Sequence, residues 1–130
     1  MSGQPVRIVV ADDNIDAAQA MAMLLGLDGY DVRCAGDGSQ TLEMVRDFKP
    51  HVLLVDLSMG ELSGLEVATE LNRDPRRKHM LVIAVTGWQS PDNRDRALAA
   101  GFDHYFVKPA DPDTIAMLIA DSRAAGRFGG

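Results

Sequence analysis

Apolar and polar positions fall in alternating blocks along this chain. Residues 6–11 form a mostly apolar, β-branched run bounded by acids, which predicts a strand. Ile15, Ala18, Ala22 and Leu25 then recur at helical spacing, with Gly29 as a stop. Residues 30–35 alternate and predict a second strand, nearer an edge. Leu42, Val45 and Phe48 mark a second helix, ended by Pro50. Residues 52–55 are wholly apolar, a third strand. Ser63 and Glu66 read as a capping box, followed by Leu65, Ala68 and Leu71 on a third helix. Residues 80–85 are a fourth strand. Ser90-Pro91 opens a helix carrying Ala97 and Leu98, closed by Gly101 as a left-handed cap. Residues 102–107 are a fifth strand, and Asp111-Pro112 opens a last helix with Ile115, Leu118 and Ile119 inward.

Five strand–helix units with short connections require crossovers. Crossovers give a parallel sheet with helices on both faces, an α/β doubly wound fold. Strands that are apolar throughout are buried on both sides, so the first, third and fourth are expected at the centre. The 130 residues are expected to form a single domain with its core at about 6–122 and no output domain attached.

Composition narrows the functional classes. One cysteine, Cys34, excludes a disulfide framework and a multi-cysteine metal site, and fits a reducing cytoplasm. Residues 80–85 are too short a run to span a bilayer, and the first residues do not read as a signal peptide. A net charge of −6 argues against nucleic acid as a direct partner. The negative excess lies in residues 1–65, which hold ten acids and four bases; it marks that half for a cation or a basic partner, with an acidic surface that simply keeps the protein soluble as the plain alternative.

Ligands of such sheets bind beyond the carboxyl ends of the strands. Asp12-Asp13 follows the first strand, Asp56 ends the third, Thr86 follows the fourth and Lys108-Pro109 follows the fifth. Each has a plain alternative when taken alone: Asp13 as a helix cap, Thr86 as a turn residue before Gly87, Lys108 as a solvated lysine. Together they gather three carboxylates, a hydroxyl and an ammonium on one edge. Three adjacent carboxylates call for a cation, and all-oxygen ligation suits Mg²⁺. A hydroxyl and an ammonium can hold phosphoryl oxygens, and a central carboxylate can accept a phosphoryl group as an acyl phosphate.

The stretches VVADDN, LLVDLSMGELSGLEV and VIAVTGW, with Lys108-Pro109, resemble the receiver domain of bacterial response regulators over almost the whole chain. The resemblance implies a flavodoxin-like sheet of order 2-1-3-4-5. It implies Asp56 as the phosphorylated residue, with Asp12, Asp13, Asp56 and the backbone carbonyl of Ser58 around Mg²⁺. Thr86 would be the switch hydroxyl, Tyr105 the switch aromatic, Lys108 the phosphate-binding lysine, and Pro109 would follow a cis peptide bond. Phosphorylation would alter the surface of the fourth helix, fifth strand and fifth helix. The donor would be a histidine kinase or a histidine phosphotransfer protein, and the readout a downstream protein partner. The protein would act only on its own phosphoryl group rather than as an enzyme. The segment GFDHYFVKPADPD is similar to receivers fused to hybrid histidine kinases. The first helix is where a histidine-bearing helix would dock.

Two departures bear on rates: Gly60 stands where the family often has proline, and Trp88 lies two residues after Thr86. His51, His79 and His104 do not follow strands at the active edge and read as structural or surface. The basic run from Arg73 to His79 reads as a solvated loop at the opposite edge, with a docking patch as the alternative. Gly36-Asp37-Gly38 lacks the rest of a nucleotide-binding loop. Met21 and Met23 read as helix packing or ordinary surface, and Cys34 as a small packed residue. Two other functions compete. A phosphohydrolase of the haloacid dehalogenase type uses the same residue types, but its nucleophile follows the first strand as D-x-D, which is missing here. A phosphorylation-independent interaction module would keep the fold without needing Asp56.

Overall fold

The computed structural model describes residues 5–57, 59, 64–87 and 91–129. The elements run β1 (Arg7–Ala11), α1 (Ile15–Gly26), β2 (Asp31–Ala35), α2 (Gly38–Phe48), β3 (Val52–Asp56) and α3 (Gly64–Leu71). A 3-10 turn (Pro75–His79) precedes β4 (Leu81–Thr86), α4 (Pro91–Ala99), β5 (His104–Val107) and α5 (Pro112–Ala124). All four strand pairings are parallel, in the order β2-β1-β3-β4-β5. The predicted α/β doubly wound, flavodoxin-like fold is what forms.

The apolar runs explain the strand order. β3 and β4 are buried at every position and β1 at four of its five, so these three sit inside. The edge strands β2 and β5 are mostly half-buried or exposed. Alternation along the central strands divides the core between two faces. Val9, Leu53, Val55, Val82 and Ala84 pack toward α2, α3 and α4, with Val45, Val67, Leu71 and Ala97. Ile8, Val10, Leu54, Ile83 and Val85 pack toward α1 and α5, with Ala18, Leu25, Ile115 and Ile119. Each fully buried aliphatic side chain contributes about 1.5–3 kcal/mol.

Several local readings are corrected. Asn14, not Asp13, caps α1, its side chain accepting from the amide of Ala17. That helix ends at Gly26, with Gly29 in a left-handed turn just before β2. Only Ala18 and Leu25 of α1 are buried, while Ile15 is 48% exposed. Asp37 caps α2 through the amide of Gln40, which gives Gly36-Asp37-Gly38 a structural role. Lys49, in the left-handed region, stops α2 just before Pro50. Leu118 of α5 is half-buried and packs against the core on the α1 and α5 face, as its inward reading requires.

Arg73, Lys78 and His79 of the basic run are exposed, as a solvated segment requires, but Arg76 and Arg77 are half-buried and engaged. Arg76 pairs with Asp74 at 2.8 Å and donates to the carbonyl of Val45. Arg77 donates to the carbonyls of Met80 and Gly101 and pairs with Asp103. Ser58, Gly60, Ser63, Trp88 and Ser90 lie outside the described residues, so the two helix caps and the two departures assigned to them do too.

Candidate functional site

The site forms because neighbouring strands of the sheet, β1, β3, β4 and β5, end in line. Asp12 directly follows β1, Asp56 ends β3, Thr86 ends β4 and Lys108 directly follows β5. Register brings them level: Ala11 pairs with Val55, Asp56 with Val85, and Thr86 with Val107. Four residues distant in sequence thereby meet at the carboxyl edge of the sheet. Asp12, Asp56 and Thr86 are buried, with Asp56 3% exposed.

Lys108 closes the group. Its Nζ donates to Asp12 Oδ2 at 2.8 Å and to Asp56 Oδ2 at 3.0 Å. Burial pulls the ammonium down, but its hydrogen bonds to both carboxylates and their charges outweigh it, so its pKa lies above the ordinary lysine value. For a raised folded-state pKa, the stabilisation is complete at neutral pH and is lost only as pH climbs through that value. The plain reading of Lys108 as a solvated lysine therefore fails. Asp12 also accepts the amide of Asn14 at 2.9 Å through Oδ1, which fixes the entry to α1.

Asp13 is exposed beside Asp12. One carboxylate oxygen each from Asp12, Asp13 and Asp56 lie within 4.8 Å of one another. Three carboxylates against one ammonium leave the group with a surplus of negative charge. Hard oxygen donors at this spacing fit a divalent cation that keeps part of its water shell. Ser58, the fourth ligand implied by sequence, lies outside the described residues.

Thr86 and Tyr105 share the other face of the sheet. Ala84 pairs with Tyr105 and Thr86 with Val107, so Tyr105 is the diagonal neighbour of Thr86 on the α4 side. Tyr105 is half-buried. The Lys108–Pro109 peptide bond is cis, and the amide of Lys108 donates to the carbonyl of Thr86 at 2.7 Å. The loop after β5 is thereby tied to the end of β4.

Gly64 supports the site and carries no signal in the sequence read alone. A β-carbon there would lie 3.0 Å from the carbonyl oxygen of Asp56 and 3.0 Å from Leu57 Cα. Any side chain there would need the Asp56 carbonyl or Leu57 to give way by a few tenths of an ångström, so glycine is what lets α3 begin this close without adjustment. None of the three histidines joins the group. His51 Nδ1 accepts the amide of Arg7 at 2.9 Å, His79 contacts the carbonyl of Arg127, and His104 stacks on Phe106. Burial pushes the Cys34 thiol up, away from reactive thiolate chemistry.

A parallel sheet with an acidic, lysine-closed pocket at its carboxyl edge defines a flavodoxin-like α/β domain built around charged-ligand chemistry. Residues 8–120 match the response regulator receiver domain, and the chain belongs to that family. It is thus a receiver domain of two-component signalling. The chain is 30% identical over 122 residues to the polar-differentiation response regulator DivK of Brucella anthropi, covering 91% of this chain and 99% of that one. It is 30% identical over 117 residues to the probable transcriptional regulatory protein TcrX of Mycobacterium tuberculosis, covering 90% of this chain and 49% of that one. A receiver domain protein of Methanospirillum hungatei superposes with a TM-score of 0.86 at 25% identity, covering 98% of this chain and all of that one. The chain spans about half the length, or less, of several curated relatives it matches. The family match falls on the receiver side of the choice between receiver and dehalogenase-type hydrolase. No helix among the described residues is long and apolar enough to cross a membrane.

Proposed function

We propose that this chain is the phosphoacceptor of a two-component phosphorelay, and that Asp56 takes the phosphoryl group. The observation that carries this reading is the position of Asp56: buried, within 3.0 Å of Lys108 Nζ and grouped with Asp12 and Asp13. An Asp56 oxygen attacks phosphorus, the new O–P bond forms, and the bond to the donor's histidine nitrogen or acyl oxygen breaks. Lys108 already reaches Asp56 and is placed to hold a phosphoryl oxygen. Asp12, Asp13, Asp56 and the Ser58 carbonyl would hold Mg²⁺. When bound, that ion supplies neutralisation of the charge shared between carboxylates and phosphoryl oxygens.

Thr86 then turns its hydroxyl toward the phosphoryl group, and Tyr105, diagonal to it, follows into the space vacated toward α4. This is a two-state element biased by one added group. The α4-β5-α5 surface is its readout, recognised by a downstream protein partner. A histidine kinase or a histidine phosphotransfer protein is the donor. The acting unit is residues 6–122.

Incubation with Mg²⁺ and a small acyl phosphate, followed by intact mass measurement, tests the reading. One phosphoryl group is expected on the wild type, only with Mg²⁺, and none on Asp56→Asn. Labelling of Asp56→Asn to the same extent would overturn the assignment. Normal partner binding by Asp56→Asn would instead favour the phosphorylation-independent module.

A further inference from the structure

The segment after α5 folds back onto the domain. Gly126, in the left-handed region, turns the chain at the end of the helix, and the amide of Arg127 donates to the carbonyl of Ser122 at 3.0 Å. Arg127 then crosses the amino edge of the sheet. Its Nε and Nη2 both donate to the carbonyl of Met80, and Nη2 also pairs with Asp103. Phe128 packs against the core on the α1 and α5 face, its ring centroid 5.3 Å from that of His51. The segment is therefore held at a polar anchor, Arg127, and at an apolar one, Phe128.

Two histidines touch these anchors, in opposite tautomers. His79 Nδ1 lies 3.2 Å from the carbonyl of Arg127, so Nδ1 carries the hydrogen and donates it. A second proton, on Nε2, leaves that bond in place. His51 Nδ1 accepts the amide of Arg7 at 2.9 Å, so its own hydrogen is on Nε2. A second proton must go to Nδ1, where it would set one N–H against another. Burial, then the charges of Arg7 from β1 and Arg123 from α5, also oppose a positive imidazole at this place. β4 and the segment after α5 meet His51 through uncharged groups, the amide of Leu81 at its carbonyl and the ring of Phe128. The neutral imidazole is thus a platform for Phe128, and the charged one must turn out toward water.

We propose that Arg127 and Phe128 form a strap across the amino edge of the sheet, and that a proton on His51 releases it. When the imidazole turns, Phe128 loses its platform and the bond from Arg127 to Ser122 at the end of α5 opens with it. Arg77 and the amide of Val82 still hold Asp103 once Arg127 leaves, so β4 stays tied to the start of β5. The device makes no use of Asp56 and stands apart from the acceptor reading.

Amide hydrogen exchange of this chain by NMR, compared at pH 7 and pH 5 and corrected for the intrinsic pH dependence of exchange, tests it. The Arg127 amide reports opening of the strap, and the Ile119 amide inside α5 reports unfolding of the domain. At pH 7 Arg127 should be at least about tenfold less protected than Ile119, since the strap opens without the rest. Its protection should fall at least about threefold from pH 7 to pH 5, with a ceiling of about thirtyfold set by an ordinary imidazole in the open state. The His51 ring proton signals should titrate over the same range. His51→Asn, whose side-chain oxygen can still accept the Arg7 amide, should keep the strap closed and lose the pH response. His51→Gln is the second variant, used if His51→Asn does not fold, with the same expectation. His79→Asn should keep the response.

Equal protection of Arg127 and Ile119 would overturn the proposal, since opening would then be unfolding of the whole domain. So would a wild type whose Arg127 protection ignores pH, or a pH response that survives the His51 variants. A response that disappears in His79→Asn would place the proton on the other histidine and overturn it as well.

Discussion

At the amino end of the sheet, Asp103 lies between two guanidinium groups, Arg77 at 3.3 Å and Arg127 at 2.9 Å, and also accepts the amide of Val82. Arg127 further donates twice to the carbonyl of Met80, and Arg7 donates to the carbonyls of Phe48 and Lys49. At the carboxyl end the balance is reversed, with Asp12, Asp13 and Asp56 sharing Lys108. Both ends gather charge at the margins of one parallel sheet. Where cations match or exceed carboxylates, the result is a fixed joint that ties the 3-10 turn, β4, β5 and the segment after α5 together. Where carboxylates outnumber cations, the fold has stored a demand for a positive ligand. The first arrangement favours stability and the second favours response.

The largest expected effect breaks the joint. Asp103→Ala leaves two arginines and one amide without their shared acceptor and should cost about 3 kcal/mol in chemical denaturation. Labelling of Asp56 in the folded fraction should stay within about twofold, because the joint lies at the opposite end of the sheet. A large loss of labelling would show that the two ends are not independent.

Gly64→Ala tests the carboxyl end through packing alone. The added methyl group meets the Asp56 carbonyl and Leu57, and should cost about 1–3 kcal/mol. Because the clash falls on the residue that would accept the phosphoryl group, acyl-phosphate labelling should slow as well. Unchanged labelling with lowered stability would mean that α3 yields and the acceptor does not move.

A smaller effect of opposite sign is expected from Asp56→Asn in metal-free buffer. Removing one of three mutually repelling carboxylates should raise stability by about 1–2 kcal/mol, and Mg²⁺ should then add less stability than it adds to the wild type. Denaturation curves with and without Mg²⁺ measure both. Destabilisation of Asp56→Asn would mean that the pairing with Lys108 outweighs the repulsion.

The smallest effect belongs to His51 at the amino end. Burial first, then the charges of Arg7 and Arg123, hold its imidazole below the usual value, and its Nδ1 accepts the Arg7 amide. A lowered folded-state pKa means that the unfolded chain binds the proton first. Stability should therefore fall as pH drops below about 6.5 and through the lower folded value. His51→Asn removes the proton site, and its melting temperature between pH 7 and pH 5 should change less than that of the wild type.

The central strands and the residues at their carboxyl ends were legible because burial on two faces demands unbroken apolar runs, and polar residues just past such runs stand out. Asp12, Asp56, Thr86 and Lys108 are found together for that reason. The joint at the other end was hidden because its parts carry no local pattern: Arg77, Asp103 and Arg127 are far apart and individually ordinary. Asn14 displaced Asp13 as the α1 cap because Asp12 and Asn14 form their own hydrogen bond, a choice that composition does not decide.

The contrast between the two ends is tested most directly by amide NMR shifts on adding Mg²⁺ and beryllium fluoride, a phosphoryl mimic. Large changes are expected at Asp12, Asp13, Asp56, Thr86, Tyr105 and Lys108, with little change at Arg77, Asp103 and Arg127, and none of this pattern in Asp56→Asn. Equal changes at both ends, or the same spectrum change in Asp56→Asn, would contradict the division of the sheet into a fixed end and a responsive one.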